Sequence, residues 1–523
     1  MKNLPIGLQA LESFQDLDCV YVDKTQLVHQ LVTRGKYYFL SRPRRFGKSL
    51  LISTFKELFL GNKELFESLN FKGKNLWILD KWDWTKKHPV IHFSFDAMDY
   101  SGLGLADAMM SELCNKANDF DVQLTKVGFK EQFKELLEKV SKKQGKIVLL
   151  IDEYDKPIID FLEGDDYSQA KANQKTMRNF YSVLKNADSL LKFFFVTGVS
   201  KFSRVSMFSD LNNFKDITLH AGYAALTGYT QQELEFYFDD YLQLAMQELN
   251  LSREVLLENM RVWYNGFSWN GTTKVYNPFG TLNFLDERRF RNFWFTTGTP
   301  KFLIHQMKKH VHFDVENTRI EGVFLDKYDI ENLDLIPLLF QTGYLTVKAI
   351  DPMTEDMVLD YPNQEVRQSI YQFLINDLAP NANRANTSMT IKDLNQAFLS
   401  NNLEKAKKII NSLLACLPYE AYKNQSEGFY QGLLHLIFSY LGMFVDSEVH
   451  MSGGRADTVV QTLTHIFIFE FKFNKTAQKA LDQIEENGYA DKYQASEKQI
   501  VGIGVNFNEE KKQIDGWLEK IYK

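Results

Sequence analysis

Three short runs, Tyr37–Leu40, Lys146–Ile151 and Leu191–Val199, are apolar at nearly every position rather than at every second one. A strand with one face in water alternates, whereas a strand covered on both faces does not. Separated by stretches of helical period, such runs predict an α/β domain on a mostly parallel sheet. The intervening helices are expected over Gln26–Thr33, Ser49–Leu60 and Phe129–Val140, with a further strand over Val90–Phe95. Composition permits this, since 44% of residues are hydrophobic and 14% aromatic, enough for packed cores. At ~100–200 residues per domain, two to four domains are expected; the chain's 523 residues exceed one core.

Between the first apolar run and the helix that follows lies Ser41–Lys48. Strand, glycine-containing loop and helix is the order that a phosphate-binding loop requires. Gly47-Lys48-Ser49 fits the second half of GxxxxGK[ST], while Arg42 stands where that pattern has its first glycine. Gly47 would let the backbone approach phosphates, and the amides of the helix start would face them. Lys48 is expected to neutralise the outer phosphates, and Ser49 to offer its hydroxyl to Mg²⁺. Downstream, the run Ile147–Ile151 ends in Asp152-Glu153, the pattern in which an Asp holds Mg²⁺ and a Glu polarises the attacking water. Arg44, Arg45 and Arg204 are candidate clamps or solvated surface groups. Thr197 and Ser200 are candidate phosphate sensors or turn-capping hydroxyls.

Past residue 226 the pattern changes. Thr230-Gln231-Gln232-Glu233 has capping-box spacing and opens a helix-rich, aromatic stretch. The expected division is 1–225 for the nucleotide-binding α/β domain, 226–310 for a helical lid, 311–420 for a mostly helical connector and 421–523 for a second α/β domain. In that last segment a helix over Glu427–Leu441 is expected to precede strands near Phe444–His450, Asp457–Val460 and His465–Phe473. A helix over Thr476–Asn487 and a last strand over Val501–Val505 follow.

Glu470 and Lys472 lie two apart on the strand His465–Phe473, so both side chains leave one face. A carboxylate in so apolar a strand needs a cation. A tight turn near Thr462–Thr464 would bring Asp457 roughly opposite Glu470. Carboxylate oxygens suit Mg²⁺ or Mn²⁺, a metal-bound water is a nucleophile, and a lysine can orient it or offset charge on a phosphodiester. Glu427 is a candidate additional ligand, or a residue complementing its helix dipole. Gln483, on the following helix, is a candidate auxiliary.

YVDKT at 21–25, SRPRRFGKSL at 41–50, LLIDEYDKP at 149–157 and FVTGVSKFS at 195–203 together resemble the AAA-ATPase-like family common in bacteria. WYNGF at 263–267, VYNPFG at 275–280 and FWFTTGTP at 293–300 extend the resemblance. EGFYQGLL, GRAD, IFEFKF and ALDQIEENGYADKY near the C-terminus resemble a PD-(D/E)XK nuclease domain. In the AAA-ATPase-like family Arg-Phe-Gly-Lys-Ser is the usual loop, so the resemblance makes the missing first glycine a family trait. The resemblance implies a P-loop NTPase sheet, a helical middle region and a restriction-endonuclease-like C-terminal domain. It implies ATP and Mg²⁺ (or Mn²⁺) as cofactors. Lys48, Ser49, Asp152 and Glu153 would serve the nucleotide, and Glu427, Asp457, Glu470, Lys472 and Gln483 the nuclease.

The formal net charge of −6 is not that of a protein that coats nucleic acid non-specifically, so contact with DNA or RNA must come from a local patch. The three cysteines show no CxxC spacing, which argues against a zinc site. No apolar run approaches the ~20 residues of a membrane helix, and the N-terminus lacks a signal-peptide core. A cytosolic protein without membrane contact is expected, and a homo-oligomer is compatible with it. Two functions fit: an ATPase fused to a metal-dependent nuclease acting on DNA or RNA, or a nucleotide-dependent switch or scaffold whose C-terminal domain binds nucleic acid or protein without cutting.

Overall fold

The computed structural model describes residues 1–162, 167–201, 214–294, 303, 315, 317–322, 334–378, 384–415, 436–438, 440–441, 446–449, 458–508, 510–511 and 513–523. Two compact units result: Met1–His305 with Glu316–Val366, and Gln306–Val315 with Arg367–Lys523.

In the first unit β1 (Tyr37–Ser41), β2 (Val90–Ser94), β3 (Ile147–Asp152), β4 (Leu191–Gly198) and β5 (Lys215–Asp216) form one sheet in the order β2-β3-β4-β1-β5. Every neighbouring pair is parallel. β1 and β3 are buried at each position, which is why their sequences do not alternate. On one face Tyr38, Leu40, Val148, Leu150, Phe193 and Phe195 form a core with Leu51, Phe55 and Phe59 of α1 (Lys48–Leu60). On the other, Phe133 of α2 (Phe129–Gln144) stacks at 4.2 Å on Phe180 of α3 (Ser168–Ser182), and Phe93 meets both edge-on. Burying each such phenylalanine contributes about 1.5–3 kcal/mol. The register pairs Ser41 with Gly198 and Ser94 with Asp152, so the strands finish along one edge. Ligands of open parallel sheets bind at that edge.

Helices α4 (Gln231–Tyr237), α5 (Asp239–Leu249), α6 (Arg253–Tyr264) and α7 (Pro278–Glu287) follow. The capping box of Thr230 and Glu233 is formed in full. Leu234, Leu242, Met260 and Phe284 from these helices share a core with Val20 and Val22 of the N-terminal segment.

The stretch 311–420, expected to be mostly helical, contains an antiparallel sheet of β6 (Thr318–Glu321), β7 (Thr346–Ile350) and β8 (Asp356–Asp360), in the order β6-β8-β7. Strands of four or five residues carry too little periodicity to be told from helix by pattern. The β7–β8 turn is built by Asp351, whose carboxylate accepts from the Met353 amide at 2.8 Å. Also within the stretch are α8 (Leu335–Gln341), α9 (Gln364–Leu378), α10 (Arg384–Leu399) and α11 (Leu403–Ala415). The start of α9 belongs to the first unit, and its residues from Arg367 to the second.

The second unit carries β9 (Asp446–Val449), β10 (Thr458–Gln461), β11 (His465–Phe473), β12 (Gln499–Asn508) and β13 (Gln513–Ile521), in the order β13-β12-β11-β10-β9. β11 and β12 are parallel and the other pairs antiparallel. Val501–Val505 is therefore not the last strand. β13 escapes the pattern because it is an edge strand with mostly exposed positions, including Glu519 and Lys520. The helix α12 (Ala477–Glu486) packs Leu481 and Ile484 on Ile466, Ile468 and Ile500. Among the described residues, no helix is long and apolar enough to cross a membrane.

Candidate functional site

The loop after β1 turns on two left-handed residues, Arg45 (φ 67°) and Gly47 (φ 81°), the second capping α1. Arg42, in the place of the template's first glycine, points into the fold. Fully buried, it donates to the carbonyls of Ser41 and Thr218, both at 2.9 Å, and its guanidinium lies 3.8 Å from the Trp269 ring centroid. Burial pushes its pKa down to about 9, against the pull of Asp216, so it stays charged at neutral pH.

Lys48 is buried and donates to the carbonyls of Arg42 and Pro43, each at 3.0 Å. Burial pushes its ammonium pKa down; Glu153, Asp152 and Asp155 oppose that. Asp152, at the end of β3, is raised by burial and held back by a hydrogen bond with Ser49 and by the Lys48 charge. Glu153 follows in left-handed conformation (φ 51°), a strained geometry for a non-glycine residue. Its carboxyl is raised by burial and lowered by Lys48.

Lys48, Ser49 and Glu153 line a cavity of about 330 Å³. Arg44, Arg45, Lys48, Ser49 and Glu153 form its polar end, with Asp96 and Lys156 beside them. Leu8, Val22, Val28, Leu51, Phe279 and Leu282 form apolar wall. Hard oxygens at Ser49 and Asp152 beside a buried ammonium suit a magnesium-bound polyphosphate, and the apolar wall suits a planar base.

Thr197 and Ser200 have structural partners. The Thr197 hydroxyl donates to the Leu40 carbonyl at 2.8 Å, and that of Ser200 to Asp155 at 2.6 Å. Asp155 is buried and also accepts from the Val199 and Ser200 amides. A Cβ on Gly198 would come within 2.3 Å of its carboxylate, so that position requires glycine. Arg204 lies outside the described residues.

In the second unit, Thr462 closes the β10–β11 hairpin, its amide donating to His465 at 2.8 Å, and Thr458 pairs with Phe469. The connection is thus the tight turn on which the expected approach of the two strands depended. Phe469 and Phe471 on one face of β11 contact Phe438. Glu470 and Lys472 leave the other face. Lys472 Nζ lies 3.0 Å from Glu470 Oε1 and donates to Gln483 Oε1 on α12. Glu470 is almost fully buried, and the Lys472 side chain keeps 17% exposure. Position 487, four residues after Gln483, is an asparagine whose amide donates to the Tyr489 hydroxyl at 2.7 Å. Asp457 and Glu427 lie outside the described residues.

Comparison with known proteins finds two family matches along the chain. A family model described as "Predicted AAA-ATPase" matches residues 5–208, and one for the PD-(D/E)XK nuclease superfamily matches 425–517. An uncharacterized protein in the vnfD 5′ region of Azotobacter chroococcum mcd 1 is 35% identical, over 99% of this chain and 98% of that protein. The chain belongs to the AAA-ATPase-like family that carries a C-terminal PD-(D/E)XK nuclease domain. A solved structure of the Aeropyrum pernix ORC1 protein in complex with DNA aligns over 70% of this chain and 94% of that chain, at 10% identity and a TM-score of 0.23. So loose an overlap says nothing about either site.

In this AAA-ATPase-like chain the cavity brings together Arg44, Arg45, Gly47, Lys48, Ser49 and Glu153; Asp152, next to Glu153, is not among its lining residues. Sequence reasoning missed Asp96 and Lys156, which form an ion pair of 3.3 Å at its rim. The pairing of Ser94 with Asp152 is the signal that places Asp96 there, and it exists only once the strand order is known.

Proposed function

We propose that the first unit binds and hydrolyses ATP with Mg²⁺, and that the second is a metal-dependent nuclease acting on DNA or RNA phosphodiesters. The observation that carries the first half is the convergence of Lys48, Ser49 and Glu153 on one cavity, with Asp152 ending the strand that leads into Glu153. Lys48 exchanges its two loop carbonyls for phosphate oxygens. Ser49 and Asp152 hold Mg²⁺, Arg44 and Arg45 face the polyphosphate, and Glu153 polarises water.

For the second half the support is a buried carboxylate bonded to a lysine that a glutamine also holds. Glu470, with Asp457 and Glu427, supplies hard oxygen ligands for Mg²⁺ or Mn²⁺. Lys472 orients the attacking water, and Gln483 keeps its ammonium in place.

The test is a cleavage assay of the purified chain on a panel of single- and double-stranded DNA and RNA with Mg²⁺ or Mn²⁺, with and without ATP. Cleavage that Glu470→Ala abolishes, and nucleotide binding that Lys48→Ala abolishes, are the expected results. Tight ADP with negligible turnover and no cleavage of any polymer would leave a nucleotide-dependent switch instead.

A further inference from the structure

The phosphate loop is held from behind as well as from within. Phe46 packs edge-on against Phe267 and Trp269, at 4.8 and 5.5 Å between ring centres. A Cβ on Gly343 would come within 2.6 Å of the Pro43 ring. A polar contact joins this aromatic shelf to the loop backbone: the Trp294 indole N–H donates to the Arg44 carbonyl at 3.0 Å. Arg44 lies between the two carbonyls that hold Lys48 and the left-handed Arg45, so its peptide orientation governs where the next amides point.

Trp294 is in turn pinned by a carboxyl. Glu365 Oε1 accepts from the amides of both Phe293 and Trp294, at 2.6 and 2.7 Å. Glu365 is fully buried in the first turn of α9, where the helix dipole favours an acidic group. Its other oxygen reaches α7: a Cβ on Gly280 would come within 2.8 Å of Oε2. Phe279 and Leu282, neighbours of Gly280, line the nucleotide cavity.

We propose that Glu365 and Trp294 are positioning residues for the nucleotide. The buried carboxyl fixes the backbone at 293–294, and the Trp294 indole then fixes the Arg44 peptide so that the loop presents its amides and Lys48 to the phosphates. The proposal rests on the reading of this cavity as an ATP site. Neither residue touches the ligand; they act through the loop.

The test titrates ATP and ADP, each with Mg²⁺, into the full chain by calorimetry, well below the thermal transition. Trp294→Phe keeps a ring on the shelf and deletes the N–H. Losing one neutral hydrogen bond of ~1 kcal/mol corresponds to about fivefold weaker binding. Glu365→Ala is expected to weaken binding by five- to thirtyfold, on the order of one to two such bonds. Glu365→Gln, whose single carbonyl oxygen can accept from both amides, should bind as the parent does. The double variant Trp294→Phe/Glu365→Ala should be no weaker than the weaker single one, because both changes break one chain of contacts. A merely structural role would lower the thermal midpoint, leave the affinity of the folded protein unchanged and gain nothing from glutamine. Parent-like affinity in Trp294→Phe and Glu365→Ala, or multiplying effects in the double variant, overturns the proposal. If the parent itself binds neither nucleotide, the reading of the cavity fails and this proposal with it. Loss of binding in Lys48→Ala alone leaves that reading standing and removes only the relay.

Discussion

Two lysines, one in each unit, meet opposite electrostatic conditions. Lys48 is 5% exposed, and its direct partners are two backbone carbonyls. Its carboxylate neighbours act on it through their charge. Lys472 keeps more exposure and is bonded to the Glu470 carboxylate. A buried ammonium whose direct bonds go to neutral carbonyls gains when an anion arrives, because the nearby carboxylates offset its burial without bonding to it. An ammonium already paired with a carboxylate gains less from a passing anion and is better suited to hold a metal ligand and a water in register. On the function proposed above, the first site is thus suited to binding and the second to orientation.

The largest expected effect follows from that contrast. Lys48→Ala should weaken Mg²⁺-ATP binding by roughly a hundredfold or more, the scale of removing one partner of a buried charged contact. The thermal midpoint without nucleotide should hold or rise, since the variant no longer buries an ammonium. A large fall in that midpoint, read by scanning calorimetry, would mean that Lys48 is a structural residue and would erase the contrast. Glu470→Gln is the matching test in the second unit. It keeps the shape and leaves Lys472 with a neutral partner, so cleavage should fall by about a hundredfold or more if the carboxylate holds metal, with melting little changed.

The units should also part company in pH. Burial raises Glu365 from 4.5 to about 7. Asp152, Glu153 and Asp155 are raised as well, again chiefly by burial. A raised carboxyl contributes stability that is complete below its unfolded value and lost as pH climbs through the folded one. For Glu365 that window is 4.5 to 7, and the full loss is ~3 kcal/mol. In the second unit Asp515 is shifted the other way: partial burial works against it, but hydrogen bonds from Asn506 and Asn508 hold it below its ordinary value. Its contribution is present above that ordinary value and disappears only in acid. Glu365→Gln should therefore melt above the parent at pH 8 and close to it at pH 4.5. An equal offset at both values would show that Glu365 does not titrate in this range.

Legibility differed between the sites for a physical reason. Lys48-Ser49, Asp152-Glu153 and Glu470-Lys472 are pairs within two residues of each other, and strand or helix periodicity alone sets their direction. The hairpin that pairs Thr458 with Phe469 was legible only as a condition: the sequence allowed a tight turn near Thr462–Thr464, and the backbone supplies one. The apolar wall of the nucleotide cavity was not, because Leu8, Val22 and Phe279 look like any core residue until tertiary packing brings them together. Trp294 and Glu365, 71 residues apart, were invisible on the same ground. The sheet within 311–420 was lost to short strands, and β13 to the exposure of an edge.

The smallest expected effect probes the rim of the nucleotide cavity. Asp96 is 63% exposed at its side chain and pairs with Lys156 at 3.3 Å, while Lys156 also reaches Asp160 at 3.1 Å. Exposed pairs of this kind are worth ~0–1 kcal/mol. Asp96→Asn removes one negative charge from the rim and leaves Lys156 with Asp160, so the field at a bound polyphosphate becomes slightly more positive. Mg²⁺-ATP should bind at most about threefold more tightly, with the gain shrinking as salt is added. A hundredfold loss instead would place Asp96 beside Asp152 as a ligand of the magnesium. The nucleotide site would then resemble the second unit in needing a carboxylate cluster rather than a buried cation.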